Sequence, residues 1–324
     1  MSTLPTFTHI VVLPHLRVYN ANAISSPLTH GFPSMTAFLG LMWALERKTR
    51  AAGMDLEFGS VGVICHDHQE QTTDSHFVKS FRLTRNPIGK DGKTVAIVEE
   101  GRIHLDLTLL LAVNAENWDD DAQRRDLHTI NELLHGMRIA GGSLLPPAPG
   151  TRAAPWIANF TGNTTDRTTA FHKLRAHLLP GSALVARDDL IDHRLAELQA
   201  SNPDATRLDA WLSLSRVNWH YDPAADGDNG TWQSDRQKGS GWIVPIPVGY
   251  GALGELHAAG SVPNARDAST PFRFVESLYS MGEWMGPHRL HSPLDLLWYA
   301  DSQPDQGLYR CRNDYRAPET ETTL

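Results

Sequence analysis

Ile103-His-Leu-Asp-Leu-Thr-Leu-Leu-Leu-Ala-Val113 is the stretch on which the fold turns. Ile103, Leu105, Leu107, Leu109, Leu111 and Val113 alternate without a break, which is the two-residue period of a strand laid against a core. Upstream, His9 to Tyr19 reads as a second buried strand, with Ile10-Val-Val-Leu13 followed by Leu16 and Val18 in alternation, and Val61 to Cys65 as a third. Between those two lies a helix from Ser34 to about Ala52. Its Phe38, Leu41, Met42 and Leu45 fall at i, i+3, i+4 and i+7, Ser34 is a good cap, and Gly53 suits a left-handed stop. Phe77 to Thr84 and Thr94 to Val98 read as arms of a hairpin turning at Asp91-Gly92.

After the central strand, Asp119 to Met137 forms the next helix, with Leu127, Ile130, Leu133, Leu134 and Met137 on its apolar face. It runs into Arg138-Ile-Ala-Gly-Gly-Ser143, a glycine turn that lets another backbone come close. The order strand, helix, strand, strand with an inserted hairpin, helix is the βαββα opening of a ferredoxin-like or RRM-like unit. Ser182 to Arg187 is the candidate for its last strand. The expected class is therefore α+β.

The 324 residues suffice for one large domain or two ordinary ones. With 41% apolar and 20% charged residues, the composition is that of a soluble globular protein. No apolar run approaches the ~20 residues that span a bilayer, and no basic segment precedes a signal-type core, so a cytoplasmic protein without membrane partners is expected. Cys65 and Cys311 lie far apart and form no metal or redox pattern. A net charge of −8 argues against coating nucleic acid through bulk charge, while leaving room for a local basic surface such as Lys79 to Lys93.

Pro146 to Thr165 reads as irregular. Helices follow at about Asp166 to Leu179, Asp188 to Gln199 and Ala205 to Asn218, then a polar, acidic excursion from Asp222 to Ser240 expected to be mobile. Thr270-Pro271 and Ser292-Pro293 each place a cap before a helix-starting proline. The expected organisation is one composite domain: residues 1–187 as core with the hairpin 77–100 inserted, 188–240 as a helical insertion, and 241–324 packed on the core with further helical segments.

Motifs for catalysis are missing. Pro87-Ile-Gly-Lys-Asp-Gly-Lys-Thr94 has proline where a phosphate-binding loop needs its first glycine. Cys65-His-Asp-His68 has no third ligand fixed beside it, and Glu99-Glu100 is adjacent rather than facing. There is no Gly-x-Ser-x-Gly elbow, and neither metal nor cofactor is expected. What remains is a polar stretch, Asn20 to Ser34, whose Asn20, Asn22, Ser25, Ser26, Thr29 and His30 offer neutral hydrogen-bond groups in an irregular loop. Arg85, Lys90 and Lys93 sit at the hairpin tip. Arg138, Gly141, Gly142 and Ser143 form the glycine turn, and Arg266 and Arg273 lie near the expected helix start. Such groups suit phosphates and single-stranded bases. Each also has a plain structural reading: an ordinary long loop, a solvated tip, arginines paired with acids, or glycines that only end a helix.

Several stretches together carry a resemblance: Leu13-Pro14 with Asn20-Ala-Asn-Ala-Ile-Ser-Ser-Pro-Leu-Thr29, Gly31-Phe-Pro33, Thr84-Arg-Asn-Pro87, Ala96-Ile-Val-Glu-Glu-Gly-Arg102, and Met137-Arg138 with Ala140-Gly-Gly-Ser143. Val244-Pro-Ile-Pro247, Asn264-Ala-Arg-Asp267, Arg273-Phe-Val-Glu276, Gly282-Glu-Trp284, Pro287-His-Arg289, Leu297-Trp-Tyr299 and Gly307-Leu-Tyr-Arg310 continue it nearly to the C-terminus. In this ordered set the chain resembles the 5′-handle-binding subunits of the type I-F CRISPR surveillance (Csy) complex, members of the RAMP superfamily. The resemblance implies an RRM-like protein with a thumb-like hairpin. It implies a non-catalytic subunit that holds the 5′ handle of the CRISPR RNA, pairs with the large PAM-reading subunit, and starts the filament of backbone subunits. Target DNA near the PAM is then met through the assembled complex. Asn20 to Thr29 and Arg138 to Ser143 become handle-binding candidates, and Arg85, Lys90 and Lys93 thumb contacts to guide or neighbour. His30 departs from the tryptophan expected there in close relatives. Two rival readings stand beside this one: a RAMP-type endoribonuclease with His135 as general base, and a protein-only scaffold.

Overall fold

Strand Arg102–Asn114 is hydrogen-bonded along both edges, to His9–Asn22 on one side and Glu57–Glu70 on the other. The structure, a computed structural model, describes residues 5–75, 78–89, 91–217, 219–223, 230–236 and 241–317. The alternation that marks this strand in the sequence holds only to Leu107, beyond which every residue to Val113 is buried. The reason is a second layer. Leu105, Leu107, Leu109 and Leu111 face a core with Phe38, Leu39, Met42 and Ile130, whereas Leu110 and Ala112 face another with Ile10, Val12, Phe160 and Phe171. A strand covered on both faces reads as a continuous apolar run, as Leu109-Leu-Leu-Ala-Val113 does.

Helix Met35–Ala51 supplies the first layer, capped by Ser34, and helix Asp120–His135 joins it, capped by Asp119 through Ala122 N–H at 2.8 Å. Helix Thr164–His177 covers the other face, contributing Phe171 and Leu174. Helices Asp188–Ser201 and Arg207–Leu214 pack a third, smaller core around Trp211 and Met281.

All of this rests on one eleven-stranded sheet. Beyond His9–Asn22 come Gly142–Leu145, and Trp156–Asn159 on the same edge further along. On the far side, Glu57–Glu70 pairs with Leu297–Gln303 and Ser182–Ala186. From Leu297–Gln303 the path runs through Leu308–Asn313, Trp242–Ala252 and Val275–Met285 back to Ser182–Ala186, closing on itself. The buried indole of Trp298 donates to Leu184 O at 2.8 Å across that closure. Among the described residues no helix is long and apolar enough to cross a membrane.

Several expectations are corrected. Ser182–Ala186 does not complete the first unit: it pairs with Val275–Met285 and Glu57–Glu70, while Gly142–Leu145 and Trp156–Asn159 take the place beside the first strand. The Pro146 to Thr165 segment is therefore not wholly irregular. The inserted hairpin is a three-stranded arm, Thr72–Ser75, Val78–Arg85 and Ile97–Glu100, with Arg82 opposite Glu100 and Arg85 opposite Ile97. Asp91-Gly92 lies in the long loop between the last two strands rather than at a tight hairpin tip; Phe77 and Lys90 lie outside the described residues. No helix follows Thr270-Pro271, and beyond residue 241 the chain is mainly strand, with Ser292 capping only the single turn Pro293–Leu296. Within the acidic excursion Thr231–Ser234 pairs with Trp219–Asp222, which leads into it, as a ribbon; residues 224–229 and 237–240 lie outside the described residues.

Asn20 to Ser34 is also more regular than expected. The first strand continues to Asn22, and Ile24–Ser26 pairs with Thr29–His30. That strand carries irregularities between Leu13 and Leu16 and between Val18 and Ala21, with positive φ at His15 (51°) and Asn20 (57°). Asparagine tolerates this left-handed conformation better than most residues. Where the strand resumes, Ala21 meets Gly142 so closely that a Cβ on the glycine would lie 2.8 Å from Ala21 N and 2.7 Å from Val18 Cγ1. Gly142→Ala is expected to destabilise by about 1–3 kcal/mol through this overpacking. The measurement is the urea midpoint of the purified protein, and an unchanged midpoint would contradict the close approach.

Candidate nucleic-acid interface

Ala140 (φ 47°) and Gly141 (φ 80°) make the two-residue turn between Arg138–Ile139 and Gly142–Leu145. Both central residues being left-handed is the geometry of a type I′ hairpin turn. Asn22 N–H donates to Ala140 O at 2.8 Å, so the turn is fastened to the end of the first strand. The two segments singled out in the sequence thereby form neighbouring walls of one groove of about 470 Å³, lined by Tyr19, Asn20, Arg138, Gly141 and Ser143. The third wall comes from the root of the arm and the strand behind it: Gln71, Arg82, Glu100 and Arg102.

The chemistry of the groove is that of an anion and ring binder. Arg138 folds over its own turn, donating to Gly141 O at 3.2 Å and Ser143 Oγ at 3.4 Å, and stays exposed. Arg102 pairs with Glu100 and reaches Asn20 O at 3.5 Å. Tyr19, 47% exposed, stacks on His104 with ring centroids 4.1 Å apart. Asn20 N–H donates to His104 Nδ1 at 3.1 Å. Burial, with Arg82 nearby, holds the His104 pKa below its ordinary value, so the ring keeps the lone pair that this bond requires. Three guanidinium groups against one carboxylate make a local positive site on a chain of net charge −8.

The other proposed residues separate from this groove. Asn22 is exposed but spends its amide on its own turn, bracketing Ile24 through Oδ1 (3.2 Å) and Nδ2 (2.8 Å). Ser26 and Thr29 are buried against each other at 2.6 Å and Ser25 joins Thr29 at 2.8 Å, so these hydroxyls close a hairpin, with Ser25 at the edge of the hollow that His30 faces. His30 packs edge-on against Phe81 at 4.7 Å and faces a second hollow. Arg85 and Lys93 are exposed on the arm outside the groove, Lys93 lying 3.8 Å from Asp91. Lys90 is not among the described residues. Arg266 is exposed and Arg273 donates to Pro304 O at 3.1 Å; neither lines the groove, and neither lies at a helix start.

Sequence reasoning alone misses Tyr19, Gln71, Arg82, Arg102 and His104. By pattern Tyr19 reads as the end of a core strand and His104 as one outward position of another. The signal available is Arg82 within the basic stretch and Arg102 at the end of Ala96 to Arg102.

Two further histidine candidates, His66 and His135, are occupied. His66 donates through Nδ1 to Pro180 O (2.5 Å) and accepts at Nε2 from Thr108 Oγ1 (2.7 Å). Among the described residues no group of three or more His, Cys, Asp or Glu is placed to hold a metal. Burial pushes the Cys65 thiol up to about 12. His135 lines a separate small hollow with Asn131, to whose carbonyl its Nδ1 donates at 2.8 Å.

Residues 11–311 match the family described as CRISPR-associated protein (Cas_Csy2). The chain belongs to the Csy2 family. It is similar to the CRISPR-associated protein Csy2 of Pseudomonas aeruginosa (strain UCBPP-PA14), 44% identical over 314 residues that cover 93% of this chain and 94% of that one. In this Csy2-family chain the match takes in all three walls of the groove, since Tyr19 to Ser143 falls inside it.

Burial lowers the pKa of His9, His66 and His104. The folded state then binds fewer protons than the unfolded chain, so this stability is complete above the unfolded histidine value of about 6.5 and is lost as pH falls below it. The urea midpoint is expected to fall between pH 7.5 and 5.5, and to fall less in His66→Gln. A wild-type midpoint that does not move would contradict the burial of these rings.

Proposed function

We propose that the chain is a non-catalytic, RNA-binding subunit of a type I-F CRISPR-Cas effector complex, and that its groove holds the 5′ handle of the CRISPR RNA. The observation that carries this reading is the convergence of Asn20, the Arg138 to Ser143 turn and Arg82 with Arg102 on one open, arginine-lined groove beside the Tyr19–His104 stack. Guanidinium groups meet phosphates, an exposed ring stacks on a base, and a backbone free of Cβ at Gly141 admits both. The His135 imidazole, held in another hollow, supports the non-catalytic reading over the nuclease.

The same reading treats residues 1–187 as an RRM-like core within one composite domain. Its support is the strand order, in which Gly142–Leu145 and Trp156–Asn159 stand in the fourth-strand place beside the first strand, followed by Arg102–Asn114 and Glu57–Glu70. The arm from Thr72 to Glu100 is then the thumb, and its exposed Val78, Leu83, Ile88 and Ile97 suit contact with an adjacent backbone subunit. Pairing with the large PAM-reading subunit, and through it with target DNA, belongs to the same cytoplasmic assembly.

The test is retention of handle RNA by the assembled complex. Arg138→Ala and Arg82→Ala should each weaken it, and should make the slope of log affinity against log salt shallower by roughly 0.7 for each phosphate left without its guanidinium. Unchanged retention and slope in both would favour a protein-only scaffold.

A further inference from the structure

On the other side of the Ile24–His30 hairpin lies a second hollow, of about 510 Å³, that the groove does not use. The two are neighbours along one strand end, since Glu70 lines the hollow and Gln71 the groove. One wall is aromatic, and the strand end carrying His66, Asp67 and His68 makes another. Phe32 and Trp284 meet edge to face at 4.8 Å, and Trp242, 56% exposed, stands 6.2 Å from Trp284. Into this hollow faces the half-buried Glu70, whose carboxylate has no hydrogen-bond or ion-pair partner among the described residues. With no protein partner, its oxygens keep their acceptor sites open to donors on a ligand.

We infer that this hollow is a nucleobase pocket, and that it selects guanine. The inference rests on the handle-binding reading, since the RNA reaches the hollow from the groove. Asp67 and Glu70 repel phosphate, so the occupant enters ring first and leaves its backbone outside. A carboxylate is acceptor-only and takes two parallel donors best. Guanine supplies them as N1–H and N2–H on one edge; adenine and cytosine present a donor beside an acceptor nitrogen, and uracil presents N3–H between two carbonyls. The tryptophans supply the stacking surface that every base shares, and Glu70 supplies the choice.

Fluorescein-labelled RNA octamers test this on the full-length chain: all uridine, the same with one central guanosine, and the same with inosine there, which lacks the N2 amine. The guanosine octamer should bind roughly tenfold tighter than all-uridine, and inosine should lose much of that gain. Glu70→Ala and the isosteric Glu70→Gln should both abolish the preference, while Trp242→Ala should weaken the guanosine octamer without lowering the thermal midpoint. Arg138→Ala should weaken all octamers alike. Equal binding of the three octamers by the unaltered chain would overturn the pocket and leave the groove standing; no binding of any would overturn both. A preference that survives in both Glu70 variants while a protein partner drops out of the assembled complex would assign the hollow to a partner's cationic side chain and overturn the base.

Discussion

The close approach of Gly142 to Ala21 is the constraint on which the groove depends. Two backbones meet at a distance no side chain on residue 142 would allow, and the Asn22–Ala140 hydrogen bond locks them in register. Because of it, the end of the first strand and a turn more than a hundred residues later become adjacent walls rather than separate loops. The bulge at Asn20 makes this possible. Two residues oppose His104 there, which re-aims the strand and turns Tyr19 and Asn20 outward onto the sheet face. One left-handed asparagine and one glycine without a Cβ thus position most of what the site contains.

The central strand and both flanking helices are legible because each rests on local periodicity, with the Ser34 cap marking the start of the first helix, and the three middle helices are legible in outline. The partner of the first strand is not. Ser182–Ala186 and Gly142–Leu145 are both short and apolar, and which edge each joins is decided by sheet closure, through contacts such as Trp298 with Leu184, that no local pattern encodes. The polar stretch from Asn20 to Ser34 is legible as unusual but not in its use. Half of its hydroxyls and amides satisfy one another, as Ser26 does Thr29, because a tight hairpin needs its own hydrogen bonds before it can offer any. The arginines that complete the groove come from the arm and from the start of the central strand, and the facing of Arg82 emerges only once it is seen opposite Glu100.

The electrostatics follow the same division. A chain of net charge −8 gathers Arg82, Arg102 and Arg138 in one groove and sets Asp67 and Glu70 in the hollow beside it. Under the proposed reading, backbone and base would be drawn to opposite sides of the Ile24–His30 hairpin. An RNA strand held as proposed would then have one favoured way to face, which a uniformly basic surface would not impose.

Photo-crosslinking maps this most directly. In the assembled complex carrying a handle RNA with 4-thiouridine, adducts located by mass spectrometry should fall on peptides containing Tyr19 and the Arg138 to Ser143 turn. Adducts confined to the segment from Leu253 to Val275, or to the Asp188 to Leu214 helices, would place the RNA elsewhere and contradict the account.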